Sequence, residues 1–224
     1  MKKRILNIFM IAAVAVVMVN CKDKAKEANT SEAEAAAVNE STTQKYVTDV
    51  TKSTIEWKGF KPTGTHNGTV NIDTGVFQVD GGNIQSGTFL IDMTSIVSLD
   101  LEEGKMKTNL ENHLKGTVEG KEGDFFNVTQ FPTGAFEVTG VSDEGGKTML
   151  SGNLTLKGVK QNITFPVSVA NVGDELTITS DAFTIDRTKW GVNYGSKTVF
   201  DNLGDKFISD EIELKINVVA YKKA

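Results

Sequence analysis

Cysteine, histidine and proline are scarce in this sequence, and the scarcity excludes several classes of protein. The 224 residues include one cysteine, two histidines and three prolines. One cysteine cannot form an internal disulfide, and a zinc site takes three or four ligands, so we expect no metal. Positive charge is also short, with 24 Lys and Arg against 29 Asp and Glu. This acidic balance argues against nucleic acid as a partner.

The sequence also lacks an apolar run that is long enough to cross a membrane. Residues 5–19 are mostly apolar and follow the basic residues Lys2, Lys3 and Arg4. As a helix the run would rise about 22 Å, whereas the hydrocarbon core of a bilayer is about 30 Å thick. A short apolar run behind a basic start predicts a signal peptide over residues 1–20.

The single cysteine follows this run directly, in the sequence MVNC at residues 18–21. The arrangement resembles a bacterial lipobox, although Asn20 stands where a small residue is usual. The resemblance implies acylation of Cys21 and a lipid anchor in the bacterial cell envelope, on the periplasmic or surface face, with the outer membrane expected. The alternative is an ordinary secretory signal with an incidental cysteine.

A polar segment separates the cysteine from the rest of the chain. Residues 22–44 are rich in Ala, Glu, Lys, Asn, Ser and Thr and contain no aromatic residue. Such a segment buries too little apolar surface to offset its ordering entropy. We therefore predict a flexible tether over residues 21–44 and one folded domain over residues 45–224.

From residue 46 onward the dominant apolar period is two. In residues 212–218 and 163–169, for example, apolar side chains alternate with polar ones, as on a strand with one wet face. Similar patterns predict strands at 54–60, 68–72, 84–93, 135–141, 150–156 and 175–185. Glycine-bearing turns join several of them, which favours antiparallel hairpins.

Three local features depart from plain alternation. The parity slips within residues 175–185, which predicts a β-bulge between Ser180 and Ala182. Pro166 suits an edge position or a bulge better than a central strand. Leu99, Met106, Leu110 and Leu114 recur at helical spacing, so we predict a helix within residues 100–115 that is firm from Lys105 onward. The helix would pack over an opening or a side of the sheet, as a core element or as a gate.

About eight strands with one apolar face each are compatible with a sandwich or with a closed barrel, and periodicity alone does not choose. An eight-stranded barrel is just wide enough to be filled by side chains or to hold one slender ligand. No Ser-His-Asp motif, phosphate loop or CxxC stands out.

Five runs in order resemble the YceI-like family, and together they cover about residues 46–222. They are WKGFKPTG with HNG (57–64, 66–68), IDMTSI (91–96), HL with DFFNV, FP and Phe136 (113–136), GNLTLKGV (152–159) and FTIDRTKWGV (183–192). The resemblance implies an all-β fold: an eight-stranded antiparallel lipocalin-like barrel with one short helix. It also implies an elongated apolar cavity that holds a polyisoprenoid or isoprenoid quinone, with no other cofactor. Residues 116–123 form a longer link than is usual in the family, which puts an unusual loop near the cavity rim.

Parity and family position together select the candidate residues of the cavity. The expected lining comprises Phe136, Leu154, Leu156, Phe165, Val167, Ile178, Phe183, Ile212, Leu214 and Ile216. Four polar residues are expected at the cavity mouth or in structural contacts, namely His66, His113, Asp186 and Arg187. The function expected is a membrane-anchored lipid-binding protein and not an enzyme. The alternatives are an envelope interaction module with a filled barrel, or an enzyme that uses Asp186, Arg187 or His113 on a lipid.

Overall fold

The computed structural model describes residues 24–38 and 43–223. The signal peptide predicted at 1–20 and the predicted acylation site Cys21 lie outside these residues. The described strands are β1 (Lys26–Glu27), β2 (Asn29–Glu32), β3 (Gln44–Thr48), β4 (Thr54–Lys61), β5 (Gly64–Asp80), β6 (Asn83–Ser98), β7 (Thr133–Glu144), β8 (Lys147–Leu156), β9 (Val159–Val172), β10 (Glu175–Ser180), β11 (Phe183–Asp186) and β12 (Glu211–Lys222). One α-helix, α1 (Lys105–Lys115), and two 3₁₀ turns, Arg187–Trp190 and Gly204–Lys206, complete the described elements.

The strands from β3 onward form one closed antiparallel ring. Consecutive strands from β5 to β10 pair antiparallel, and β12 closes the ring. On one side β12 pairs with β10 and β11, and on the other side it pairs with β3 and β4. Each of these two pairs acts as one bent strand, so the ring has the eight positions of the predicted lipocalin-like barrel. This closure identifies the fold as a barrel and not a sandwich.

The bend between β10 and β11 is the predicted bulge. Thr179 pairs with Asn217 and Phe183 pairs with Leu214, so β10–β11 uses one residue more than β12 over the same length. The Ile216 amide donates to Ser180 Oγ at 2.9 Å instead of to a carbonyl at this point. The extra residue switches the parity, so that Ile178 and Phe183 both face the barrel interior.

The bulge also opens a seam in the barrel wall. Beyond Ser180, β11 no longer pairs with β9, and Pro166 lies where β9 loses its β10 partner. The prediction that proline would take a local edge position is therefore confirmed. The seam exposes the backbone groups of residues 161–164 on β9 and of residues 183–184 on β11.

The segment that precedes the domain fills this seam, so the described residues 24–38 are not the flexible tether predicted for them. We call the described residues 24–38 the N-terminal strap. Its strand β1 pairs in parallel with β11, and β2 pairs antiparallel with β9. Ala28 donates its amide to the Thr184 carbonyl at 2.8 Å and is buried in the core. Two open strand edges order this polar segment through its backbone, a source of order that reasoning from apolar burial overlooks.

Beyond the seam the strap crosses the outer face of β8. The Asn153 side chain accepts the Glu34 amide at 3.0 Å and donates to the Glu34 carbonyl at 2.7 Å. Asn162 donates to both Asn153 Oδ1 and Thr139 Oγ1, so the side-chain amide of Asn153 is held in place. Although Asn153 points outward, it is only 2 % exposed. Further along, the Ala37 amide reaches the Val138 carbonyl on β7.

The two ends of the barrel differ. One end, which we call the open end, carries the β4–β5 turn, the β8–β9 turn and the two long connections 99–132 and 187–210. The opposite end, the closed end, carries only the short turns after β5, β7 and β9. Helix α1 lies at the open end and ends at Gly116, whose φ of 69° lets its amide reach the Asn112 and His113 carbonyls. None of the helices in the described ranges is long and apolar enough to cross a membrane.

Candidate functional site

The interior of the barrel contains a cavity of about 330 Å³. It begins at the open end and extends down the ring among side chains from β4 to β12. Its volume lies in the range that small-molecule pockets occupy. The filled barrel considered from the sequence is therefore not what the described residues form.

Nine of the ten predicted lining residues lie on the cavity wall. They are Phe136, Leu154, Leu156, Phe165, Ile178, Phe183, Ile212, Leu214 and Ile216. Val167, the tenth, is buried but does not line the cavity. That these side chains contact a ligand stays a prediction.

Sequence reasoning missed the lining that comes from the first strands and from the open end. The strand residues are Ile55, Trp57, Val70, Ile72, Phe77, Phe89, Ile91, Met93 and Ile96. Their alternation along β4 to β6 is the signal that could have found them. Leu110, Leu114, Phe125, Phe126, Tyr194 and Ile208 come from α1 and the two long connections. No period marks the loop residues, because tertiary packing alone directs them into the cavity.

Several wall side chains keep accessible surface although they sit inside a closed ring. Ile212, Leu214 and Ile216 on β12 are only partly buried, as is Phe136 on β7. These side chains pack against the buried core and line the cavity. The internal space thus leaves apolar surface uncovered by protein atoms, which an apolar ligand would remove from water.

Aromatic rings from β7, β9 and β11 form part of the cavity wall. Phe165 and Phe183 stack at a centroid distance of 4.3 Å, and Phe136 lies 6.0 Å from Phe165. The Phe136 ring covers Gly152 so closely that a Cβ built on Gly152 would lie 2.2 Å from Phe136 Cζ. Glycine at this inward position therefore makes room for the ring.

Polar lining is confined to the open end. Lys61, His66, His113, Arg187, Ser209 and Glu211 line the cavity there, whereas the deeper lining is aliphatic and aromatic. Lys61 is exposed and Tyr194 is 40 % exposed, so the cavity reaches the surface beside them. The cavity therefore has a polar mouth and an apolar interior.

Each histidine at the mouth is paired with its own carboxylate. His66 Nδ1 lies 2.8 Å from Asp100 Oδ2, and His113 Nε2 lies 2.7 Å from Asp124 Oδ2. Partial desolvation acts to raise the pKa of Asp100, but hydrogen bonds from the Asn67 amide, His66 and Ser98 together hold it below its ordinary value. His113 also contacts Phe125 and Tyr194 edge to face. The pairs fix both the β5–β6 side and the α1 side of the mouth.

Arg187 and Asp186 serve the backbone of the long connection 187–210. Arg187 is 2 % exposed and donates to the carbonyls of Val192, Ser209 and Ile208 at 2.6 to 3.2 Å. Burial lowers the pKa of Arg187, and Asp210 partly opposes this at 3.6 Å. Asp186 caps the 3₁₀ turn by accepting from the amide and the hydroxyl of Thr188. Of the two predicted roles, these contacts are structural, although Arg187 also lines the cavity.

A lysine ties the two long connections together. Lys157, in the β8–β9 turn, donates to the Gly123 carbonyl at 2.6 Å and to the Gly191 carbonyl at 3.2 Å. Desolvation lowers the pKa of Lys157, and the charge of Asp124 opposes the shift. The link at 116–123 is thereby held next to the mouth.

The apolar stripe of α1 is divided between the cavity and solvent. Leu110 and Leu114 line the cavity, as a helix packed over an opening should. Met106 is 73 % exposed and Leu99 is 63 % exposed, so the predicted packing over an opening holds only for the C-terminal half of the stripe. The N-terminal half of the stripe extends past the rim, where no element of the described residues covers it.

These features define a lipocalin-like antiparallel barrel with one internal apolar cavity that is open at one end. The chain belongs to the YceI-like family, because the model of the YceI-like domain matches residues 46–220. The N-terminal strap lies outside the matched region.

Individual relatives match this chain over shorter stretches than the family model does. A UPF0312 protein of Pseudomonas aeruginosa is 38 % identical over 64 residues, which is 29 % of this chain and 34 % of the relative. Protein YceI of Salmonella arizonae is 33 % identical over 91 residues, which is 40 % of this chain and 47 % of the relative. The chain thus spans about a third to a half of the length of these curated relatives.

Two solved structures share the fold. BcnA of Burkholderia cenocepacia is 22 % identical, with a TM-score of 0.56 over 77 % of this chain and 98 % of BcnA. A polyisoprenoid-binding domain from Saccharophagus degradans is 14 % identical, with a TM-score of 0.55 over 80 % of this chain and 98 % of that domain. At these identities the likeness supports the architecture alone.

Proposed function

We propose that this protein is a membrane-anchored carrier or store whose barrel cavity holds one long apolar lipid of the isoprenoid type, such as a polyprenol or an isoprenoid quinone. The observation that carries the proposal is the cavity itself, which is apolar along its depth and polar only at its mouth. Membership of the YceI-like family supports a binding role over a catalytic one. The structural neighbour described as a polyisoprenoid-binding domain supports the ligand class.

The energetics favour a chain-like ligand with few polar groups. Each ~100 Å² of apolar ligand surface removed from water contributes about 2.5 kcal/mol before the costs of association. The deep wall offers aliphatic and aromatic contacts and few hydrogen-bonding groups. A polar head group would instead remain at the mouth near Lys61, His66 and His113.

The anchor half of the proposal rests on the sequence. Cys21 follows a basic and apolar start in a lipobox-like context, and two or three acyl chains carried by this residue would satisfy the requirement for two lipid signals in stable anchoring. We place the protein in the bacterial cell envelope, on the periplasmic or surface side of a membrane and preferably the outer membrane.

Organic extraction of a purified Cys21→Ala chain, followed by mass spectrometry, tests the carrier role free of anchor lipid. We expect about one isoprenoid lipid per chain. Leu214→Trp adds an indole to the cavity wall and should remove most of the lipid, whereas Val172→Trp adds the same ring at the exposed closed end and should not. Absence of lipid from the Cys21→Ala chain, together with no uptake of added polyprenol, would contradict the proposal.

A further inference from the structure

The first residue of the N-terminal strap, Lys24, has its side chain beside the cavity mouth. Lys24 Nζ lies 2.8 Å from Glu211 Oε2, and Glu211 lines the polar end of the cavity. An exposed ion pair is weak. The pairing of Lys26 with Phe183 and of Glu27 with Thr184 is parallel, so β1 runs toward the open end together with β11. Lys189, in the 3₁₀ turn after β11, lies 3.8 Å from Glu27 and belongs to the open end as well. The first residues of the strap therefore lie within side-chain reach of the open end, at Glu211 and Lys189.

Chain length then restricts where an anchor at Cys21 can be. Cys21 precedes Lys24 by three residues, so its Cα lies within about 11 Å of Lys24 Cα whatever the intervening conformation. A flexible spacer over residues 22–44 would instead allow a root-mean-square separation of about 26 Å between the anchor and the domain. The strap thus shortens the distance that can separate the anchor from the domain. The point of the domain from which this distance is measured lies next to the mouth.

Large exposed apolar side chains occur on the same end. Leu99, Met106, Tyr194, Val199 and Phe200 are 40 to 73 % exposed, and all five lie in the two long connections or at the start of α1. The other large exposed apolar residues of the described chain are single valines. Tyrosine and phenylalanine combine apolar surface with rigidity, and aromatic residues are enriched where proteins meet the membrane interface. We call these five residues the apolar rim.

We propose that the apolar rim rests on the lipid surface to which the chain is anchored, so that the cavity mouth faces the bilayer. The inference rests on the proposed acylation of Cys21, and it adds the direction from which the ligand enters. A lipid would then pass from the bilayer into the cavity without crossing water. The two long connections also carry charges of both signs, among them Lys105, Lys197, Glu102 and Asp205. Apolar insertion and not net charge therefore holds the apolar rim on the lipid surface.

Hydrogen exchange on an anchored chain tests this orientation. The chain from Cys21 onward retains every described residue, and its single thiol can be coupled to vesicles of phosphatidylcholine that contain maleimide-phosphatidylethanolamine. The reference is the same chain capped with N-ethylmaleimide and mixed with the same vesicles. We expect a several-fold slowing of exchange in residues 99–107 and 194–201 on coupling, with residues 80–83 and 172–175 unchanged. Slowing at the closed end, or at neither end, would overturn the proposal.

Matched variants separate rim insertion from anchoring alone. Phe200→Ser should remove most of the slowing at the rim, whereas Val172→Ser, which changes an exposed apolar residue at the closed end, should leave it intact. Rim protection that survives both Phe200→Ser and Leu99→Ser would count against apolar insertion. The coupling is chemical and needs no bound ligand. A chain that carries lipid but shows no rim protection therefore overturns the orientation alone, and loss of extracted lipid overturns the carrier role alone.

Discussion

At the scale of single residues, the cavity depends on which inward positions are left small. Gly152 faces inward on β8, and the Phe136 ring occupies the space that a side chain there would need. The glycine therefore sets the position of an aromatic ring on the wall, and through it the volume that remains for a ligand. Parity predicted Phe136 as a lining residue, but the role of Gly152 follows only from coordinates.

The substitution Gly152→Ala tests this packing. Its Cβ would force the Phe136 ring to move, so we expect a loss of about 1–3 kcal/mol in the free energy of unfolding, typical of overpacking. Bound lipid should also fall, because the ring moves within the cavity wall. Gly140→Ala on the neighbouring strand is the control, since no heavy atom lies within 4 Å of its Cβ position. Equal stability of the two variants by urea denaturation would contradict the packing argument.

The ionisation of Asp100 makes the stability of the folded chain depend on pH. The pKa of Asp100 is held below its ordinary value in the folded chain. Its contribution to stability is therefore present above the unfolded pKa of about 4 and is lost as the pH falls through the lower folded pKa. We expect Asp100→Asn to be less stable than the parent chain at pH 7, with the gap closing below about pH 4. A gap in unfolding free energy that stays constant between pH 7 and pH 3 would contradict this sign.

At the scale of elements, the alternation of apolar residues predicted the ring strands from β4 onward, and helical spacing predicted α1 from Lys105. The bulge between β10 and β11 also followed from parity, because a single strand could not place both Ile178 and Phe183 inside. Closure into a barrel did not follow from periodicity and came from the family resemblance. The N-terminal strap was missed because backbone pairing at a seam, and not an apolar pattern, orders it.

A substitution at Asn153 tests what holds the strap on the barrel. Asn153→Ala removes both hydrogen bonds to the Glu34 backbone and leaves Asn162 with one partner fewer. We expect a loss of about 1–3 kcal/mol, since three hydrogen bonds of the buried Asn153 side chain are lost, together with faster hydrogen exchange in residues 26–37. Thr155→Ala, at the next outward position of β8, should change stability by less than about 0.5 kcal/mol. Unchanged exchange of the strap in Asn153→Ala would show that the amide does not hold it.

At the scale of the whole molecule, the bulge, the strap and the cavity are connected. The bulge turns Phe183 into the cavity and opens the seam, the strap fills that seam, and its first residues lie beside the mouth. The mouth is polar, and the two long connections that carry the apolar rim are joined by Lys157. This arrangement suits the proposed role, in which the protein takes a lipid from the surface to which it is anchored.

The two tryptophans allow a direct measurement of whether the cavity accepts a lipid. Trp57 lines the cavity, whereas Trp190 is fully buried off the wall and donates to the Leu154 carbonyl. Titrating the Cys21→Ala chain with a brominated isoprenoid lipid should quench Trp57 and saturate at one lipid per chain. Most of this quenching should be lost in Trp57→Phe. Quenching that is absent, or that rises without saturation and equally in Trp57→Phe, would contradict a lipid-holding cavity.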